Sequence, residues 1–235
     1  MSDRRRVRPL RLGYAAAAAV TVFGALTGRH RLQWIAKPLL MPLLAADAVT
    51  SDMPAGADRA LLVGALGAAT LGDVLLIDPD DDRRLVAGAY CFAVMQGGYT
   101  ALWLRRGARP TVANIVPRLG AWLGAAALLR AKSPAVATQL TVYGATLGTA
   151  AVLASDPALA PASKAVAGLN IPGTDPRSRI GLGALLFTVS DGLIVVRRLF
   201  VRDERFRRIA EGAILATYTA AQYLLTDPRV HADAS

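Results

Sequence analysis

The chain has 235 residues, 54% of them hydrophobic and only 19% charged, with a mean hydropathy of +0.38. Soluble domains carry about 25% charge and interrupt their apolar runs more often, so this composition excludes an ordinary soluble fold. The net charge of +10 comes from arginines scattered over a tail and several short connections, which excludes a single nucleic-acid-binding face and fits loops between membrane spans.

Eight apolar stretches are predicted as helices of membrane-crossing length, at residues 10–27, 33–50, 57–77, 84–104, 111–130, 134–154, 179–200 and 207–226. The expected fold class is therefore all-α: a polytopic membrane bundle of about eight transmembrane helices over residues 10–226, between a basic N-terminal tail (1–9) and a C-terminal tail (227–235). The start "MSDRRRVRPLRLGYAAAAAV" has the charged opening and apolar run of a signal peptide, but with further spans behind it it reads as an uncleaved first helix. The run Arg4–Arg6 is then a topology signal. Cationic residues divide 13 against 12 between the two faces, which leaves orientation to the first helix and favours both termini inside.

In the second span, "WIAKPLLMPLL" places Lys37 early in an apolar helix and adds Pro38 and Pro42, which free backbone carbonyls toward the interior. The third carries Asp73 within "AATLGDVLLID". Asp at the centre of a spanning helix costs about 2.5–3.5 kcal/mol on insertion scales, so its presence is a functional hypothesis. The fourth offers Gln96 and Tyr99, the fifth Asn114 and Arg118, and the sixth Tyr143. The connection from 155 to 178 holds four prolines; it is too polar and too broken to span, and reads as a mobile loop. The seventh span contains "TVSDGLIVV", with Ser190 and Asp191, and the eighth Tyr218, Gln222 and Tyr223.

The two aspartates share their surroundings. "TLGDVLL" (70–76) echoes "TVSDGLI" (188–194), and "RRLVAGA" (83–89) echoes "RRIAEGA" (207–213), at offsets of 118 and 124 residues. Spans three and four thus resemble spans seven and eight, as in a 4+4 internal repeat, although no comparable match links spans one and two with five and six. Repeats four spans apart run in parallel and put both acids at similar depth. Gly72 and Ser190, beside them, permit close helix approach.

Two carboxylates in a low-dielectric interior divide into a neutral acid and an ionised partner, the arrangement acid–base hydrolysis needs. Lys37 is the natural cationic partner, although it also fits a snorkelling interfacial lysine. No G-x-S-x-G elbow occurs, which argues against a serine hydrolase. Cys91 is the sole cysteine, and His30 and His231 lie outside the spans, so neither a disulfide nor a histidine-built intramembrane metal site is expected; no cofactor is called for.

The elements "AKPLLMPLL", "LGDVLL", "GALLFTVSDGLIVVRRLF" and "TYTAAQYLL" follow one another over about residues 34–226. In that order they resemble the YhhN family of lysoplasmalogenase-like membrane proteins. The resemblance implies a multi-pass hydrolase of the bacterial cell membrane that cleaves the vinyl ether bond of lysoplasmalogens, a lysophospholipid substrate, to a fatty aldehyde and a glycerophospho-ethanolamine or glycerophospho-choline. By matching positions, Asp73 and Asp191 would be the catalytic acids, with Lys37, Gln96, Tyr99, Ser190, Tyr218 and Gln222 around the substrate. Where the family's fourth span often carries His, this chain has Gln96, which hydrogen-bonds but cannot shuttle a proton. The acids are expected to face one cavity, roughly 5–10 Å apart, by analogy with paired carboxylates in glycoside hydrolysis. A membrane transporter or lipid-binding protein without hydrolytic activity is the alternative, since parallel repeats with midplane polar groups serve it equally.

Overall fold

The computed structural model describes residues 8–78, 80–161, 163–166 and 169–231, and helices dominate them. In chain order they are α1 (Pro9–Thr27), α2 (His30–Ala36), α3 (Leu40–Thr50), α4 (Ala57–Leu75), α5 (Asp82–Arg105), α6 (Val112–Lys132), α7 (Pro134–Ala154), α8 (Ile180–Phe200), α9 (Glu204–Leu225) and the short α10 (Pro228–His231). A 3-10 turn, Lys37–Leu39, joins α2 to α3, because Pro38 has no N–H to continue the α-helical ladder. The second predicted span is thus a broken helix that already begins at His30.

Eight helical segments stand where the sequence predicts eight spans, but six of them have the length and composition of a membrane crossing among the described residues. The other two, α4 and α9, are long enough yet carry charges. Asp58, Arg59 and Asp73 lie in α4, while Glu204, Arg205, Arg207, Arg208 and Glu211 crowd the first turns of α9.

Contacts between helices run α7–α8–α9–α1–α3–α4–α5–α7 and so close into a ring, while α6 lies outside it, mainly against α7. Each ring helix turns a stripe inward. On α4 it is Leu62, Ala65, Leu66, Ala69, Gly72 and Asp73, spaced by threes and fours as the helical period requires. On α9 it is Leu215, Tyr218, Thr219, Gln222 and Leu225. Outward positions are also apolar, including Phe23, Ile35, Leu71, Val94 and Val116. A water-facing surface of this kind would drive association, whereas hydrocarbon accepts it.

The position before each intramembrane aspartate is a point of close contact with the following helix. A Cβ on Gly72 would sit 2.8 Å from the Phe92 ring of α5, and the Ser190 hydroxyl donates to the Ile214 carbonyl of α9 at 3.0 Å. Gly72→Val is therefore expected to cost about 1–3 kcal/mol through overpacking. The measurement is thermal melting in detergent, with Phe92→Leu restoring part of the loss; an unchanged melting temperature would show that the contact is not tight.

At one end of the bundle, Asp80 and Asp82, between α4 and α5, meet α8 and α9. Arg197 and Arg207 hold Asp80 at 3.1 and 2.5 Å, and Arg198 holds Asp82 at 2.6 Å. Partial burial would raise the Asp80 carboxyl, but the two guanidiniums outweigh it and keep it below the ordinary carboxylate range.

The connection from 155 to 178 does not span. It contains two 3-10 turns, Pro157–Leu159 and Pro176–Arg179, each capped by the aspartate before it, Asp156 and Asp175. Between them two three-residue strands, β1 (Lys164–Val166) and β2 (Leu169–Ile171), pair antiparallel. This hairpin is a small departure from the all-α expectation. The prolines that forbid a helix here leave its backbone to pair with itself.

Candidate functional site

The polar groups around the two intramembrane aspartates come from α4, α5, α7, α8 and α9 and from the break before α3, and they form two clusters. The first surrounds Asp73, which is 1% exposed. The Tyr218 hydroxyl on α9 donates to its carboxylate at 2.9 Å. Lys37, in the break between α2 and α3, donates to the Leu76 carbonyl at 3.0 Å, at the end of the turn that carries Asp73. A cation at a helix C-terminus meets the negative end of the dipole, so the break in the second span gives Lys37 a defined place. Gln222, one turn along α9 from Tyr218, accepts from the Tyr99 hydroxyl at 2.7 Å. Its amide points at the Met95 sulfur, 3.1 Å away.

The second cluster surrounds Asp191 on α8, which is half-buried. Its carboxylate accepts a short hydrogen bond from the Tyr143 hydroxyl of α7. Gln96 of α5 stands beside that same hydroxyl.

Between the clusters, Phe92, Phe187 and Tyr218 meet edge to face, with centroids 5.6–6.3 Å apart. Such T-shaped contacts add about 0.5–1.5 kcal/mol each beyond the area they bury. Next to them runs a narrow cleft of about 10 Å³, lined by Gln96, Tyr99, Trp103 and Phe187 and by alanines of α7 and α8. Each acid has its own tyrosine, and the cleft is lined by Gln96 and Tyr99. Lys37, Asp73, Tyr218, Gln222 and Tyr99 come together, as do Asp191 and Gln96. Ser190 is engaged with the α9 backbone and holds α8 against α9.

Sequence reasoning left Tyr143 out of the site, although it is the partner of Asp191. Its only signal was a tyrosine hydroxyl at membrane depth among the threonines of the sixth span, which also fits a packing hydrogen bond. Tyr14 was missed as well; its hydroxyl donates to the Thr219 carbonyl at 2.8 Å, one residue from Tyr218.

The C-terminal turn closes the end of this column. His231 is 1% exposed, its ring stacks on Trp103 at 5.8 Å, and Nε2 lies 2.8 Å from the Leu225 carbonyl. Trp103 in turn stacks on Tyr99, and Arg106 donates to the Val230 and His231 carbonyls at 2.9 and 3.1 Å. Burial, and then the Arg106 charge, push the His231 imidazole down from 6.5 to about 3. Between those values the unfolded chain binds a proton that the folded chain refuses. The stability of the docked turn is complete above about 6.5 and is lost as pH falls toward 3. Melting temperature is expected to drop between pH 7 and pH 4, and the drop to shrink in His231→Phe, which keeps the stacking; equal pH profiles for both proteins would remove His231 from this role.

A closed ring of apolar helices around buried acids, tyrosines and a lysine, with lipid-compatible outer faces, defines an integral membrane protein with a polar interior. A model of the YhhN family matches residues 32–228, and the chain belongs to that family. Among curated proteins and among solved structures, nothing matches the chain.

Proposed function

We propose that the protein is a membrane hydrolase that cleaves the vinyl ether bond of lysoplasmalogens by acid–base chemistry, with Asp73 and Asp191 as its two acids. The observation that carries this reading is a pair of aspartates on helices of the ring, in similar sequence surroundings and each held by one tyrosine hydroxyl. Buried acids on spanning helices are costly, and structural needs alone do not call for two.

The chemistry suits carboxylic acids without help. A protonated aspartate adds its proton to the β-carbon of the enol ether, leaving an oxocarbenium ion. The ionised aspartate stabilises that cation and takes a proton from the water that captures it. The resulting hemiacetal collapses, its C–O bond to glycerol breaking, to a fatty aldehyde and the glycerophospho-alcohol. Gln96 and Tyr99 would orient the ether oxygen and the water. Eight membrane crossings, a 4+4 repeat and a bacterial inner-membrane location belong to the same reading. They rest on the eight helical segments, on the paired sequence echoes and on the family resemblance.

The test is purified protein in detergent, given a lysoplasmenyl phospholipid and assayed for free aldehyde. Turnover without any transmembrane gradient is expected. Absence of aldehyde together with saturable lipid or ion binding would replace this reading with a transporter or lipid-binding protein.

A further inference from the structure

Outside the ring, α5, α6 and α7 enclose a groove of about 440 Å³. It exists because α6 packs on α7 and stands away from α5. The floor is made of small α7 residues, and at Gly148 a Cβ would meet no atom within 4 Å. Leu104 of α5 and Ile115, Leu119 and Trp122 of α6 form the apolar walls. The Trp122 indole is fixed by donating to the Thr141 carbonyl at 2.9 Å. The lining holds one charge, Arg118. Its guanidinium donates to the Asn114 carbonyl at 2.9 Å and to the Ser155 hydroxyl at 2.5 Å, which anchors it toward the end where α6 begins and α7 stops.

An apolar trough with one fixed guanidinium at its interfacial end matches an amphiphile with an anionic head. Arginine is the residue suited to phosphate, and groove volumes of about 300–1,000 Å³ are those of small-molecule sites. We propose that this groove binds a membrane phospholipid, one acyl chain lying along α7 over Gly148 and the phosphate resting on Arg118. The site lies on the opposite side of the α5–α7 contact from the Gln96–Tyr99 cleft. It requires no hydrolysis, so it stands or falls independently of the function proposed above.

Native mass spectrometry of the full chain, delipidated in detergent and titrated with palmitoyl-oleoyl-phosphatidylglycerol, tests it, with the matching diacylglycerol and inorganic phosphate as comparators. Phosphatidylglycerol is expected to bind at least about tenfold more tightly than diacylglycerol, and Arg118→Gln to remove that preference. Gly148→Leu, which fills open space, is expected to weaken both lipids about tenfold while leaving the melting temperature unchanged. Undiminished lipid binding by Gly148→Leu would overturn the proposal. Full competition by inorganic phosphate would also overturn it, because it would show an anion site that needs no chain.

Discussion

Asp73→Asn and Asp191→Asn are each expected to lower aldehyde release from lysoplasmenyl phospholipid by about 10²–10⁴-fold, the range over which a positioned proton donor or acceptor contributes. Asparagine keeps the size and can still accept from Tyr218 or Tyr143, so helix packing should survive, and an unchanged melting temperature would show that chemistry alone was lost. Tyr143→Phe and Tyr218→Phe should lower the rate less, because each tyrosine orients a carboxylate rather than replacing it. Near-normal turnover in both asparagine variants would end the carboxylate mechanism. Loss in one alone would reduce it to a single acid and assign the other aspartate to structure.

The largest effect on stability is expected at Arg11. Its Nε lies 2.8 Å from the Asp47 carboxylate, with the two side chains 6% and 1% exposed. The same guanidinium donates to the Tyr223 and Thr226 carbonyls at 2.9 and 2.6 Å and covers the Tyr223 ring at 4.6 Å. One side chain thus ties α1 to α3 and to the end of α9, closing the ring where the first helix meets the last. Removing Asp47 leaves the Arg11 charge buried without a carboxylate, which costs about 3–5 kcal/mol, whereas removing Arg11 breaks its carbonyl bonds and leaves Asp47 only the part-exposed Arg8, 3.2 Å away. Arg11→Met and Asp47→Leu should therefore each lower the melting temperature strongly. The double variant should recover much of the loss, since an apolar pair of similar volume leaves no orphan charge. Additive losses in the double variant would show that the two groups act separately.

The sequence by itself determined the class and most of the boundaries. Apolar runs of bilayer length, broken by short clusters of Pro, Asp, Gly and Arg, read directly as helices and turns, because helix length and apolarity are local properties. Asp73, Asp191 and Lys37 stood out for the same reason: a charge inside an apolar run is visible without knowing its neighbours. What the sequence could not supply was who faces whom. The pairing of Asp73 with Tyr218 spans 145 residues, and that of Asp191 with Tyr143 spans 48. Such partnerships depend on the order of helices around the ring, which short polar loops do not encode. His231 looked like part of a polar tail, and only the docking of α10 on Trp103 made it a buried plug. Likewise the groove beside Arg118 exists because α6 sits outside the ring, a choice made by helix–helix packing of small residues on α7 rather than by any motif. The sequence therefore decided which segments form apolar helices, through hydrophobicity, and the tertiary structure decided which of their groups are buried and which meet, through packing.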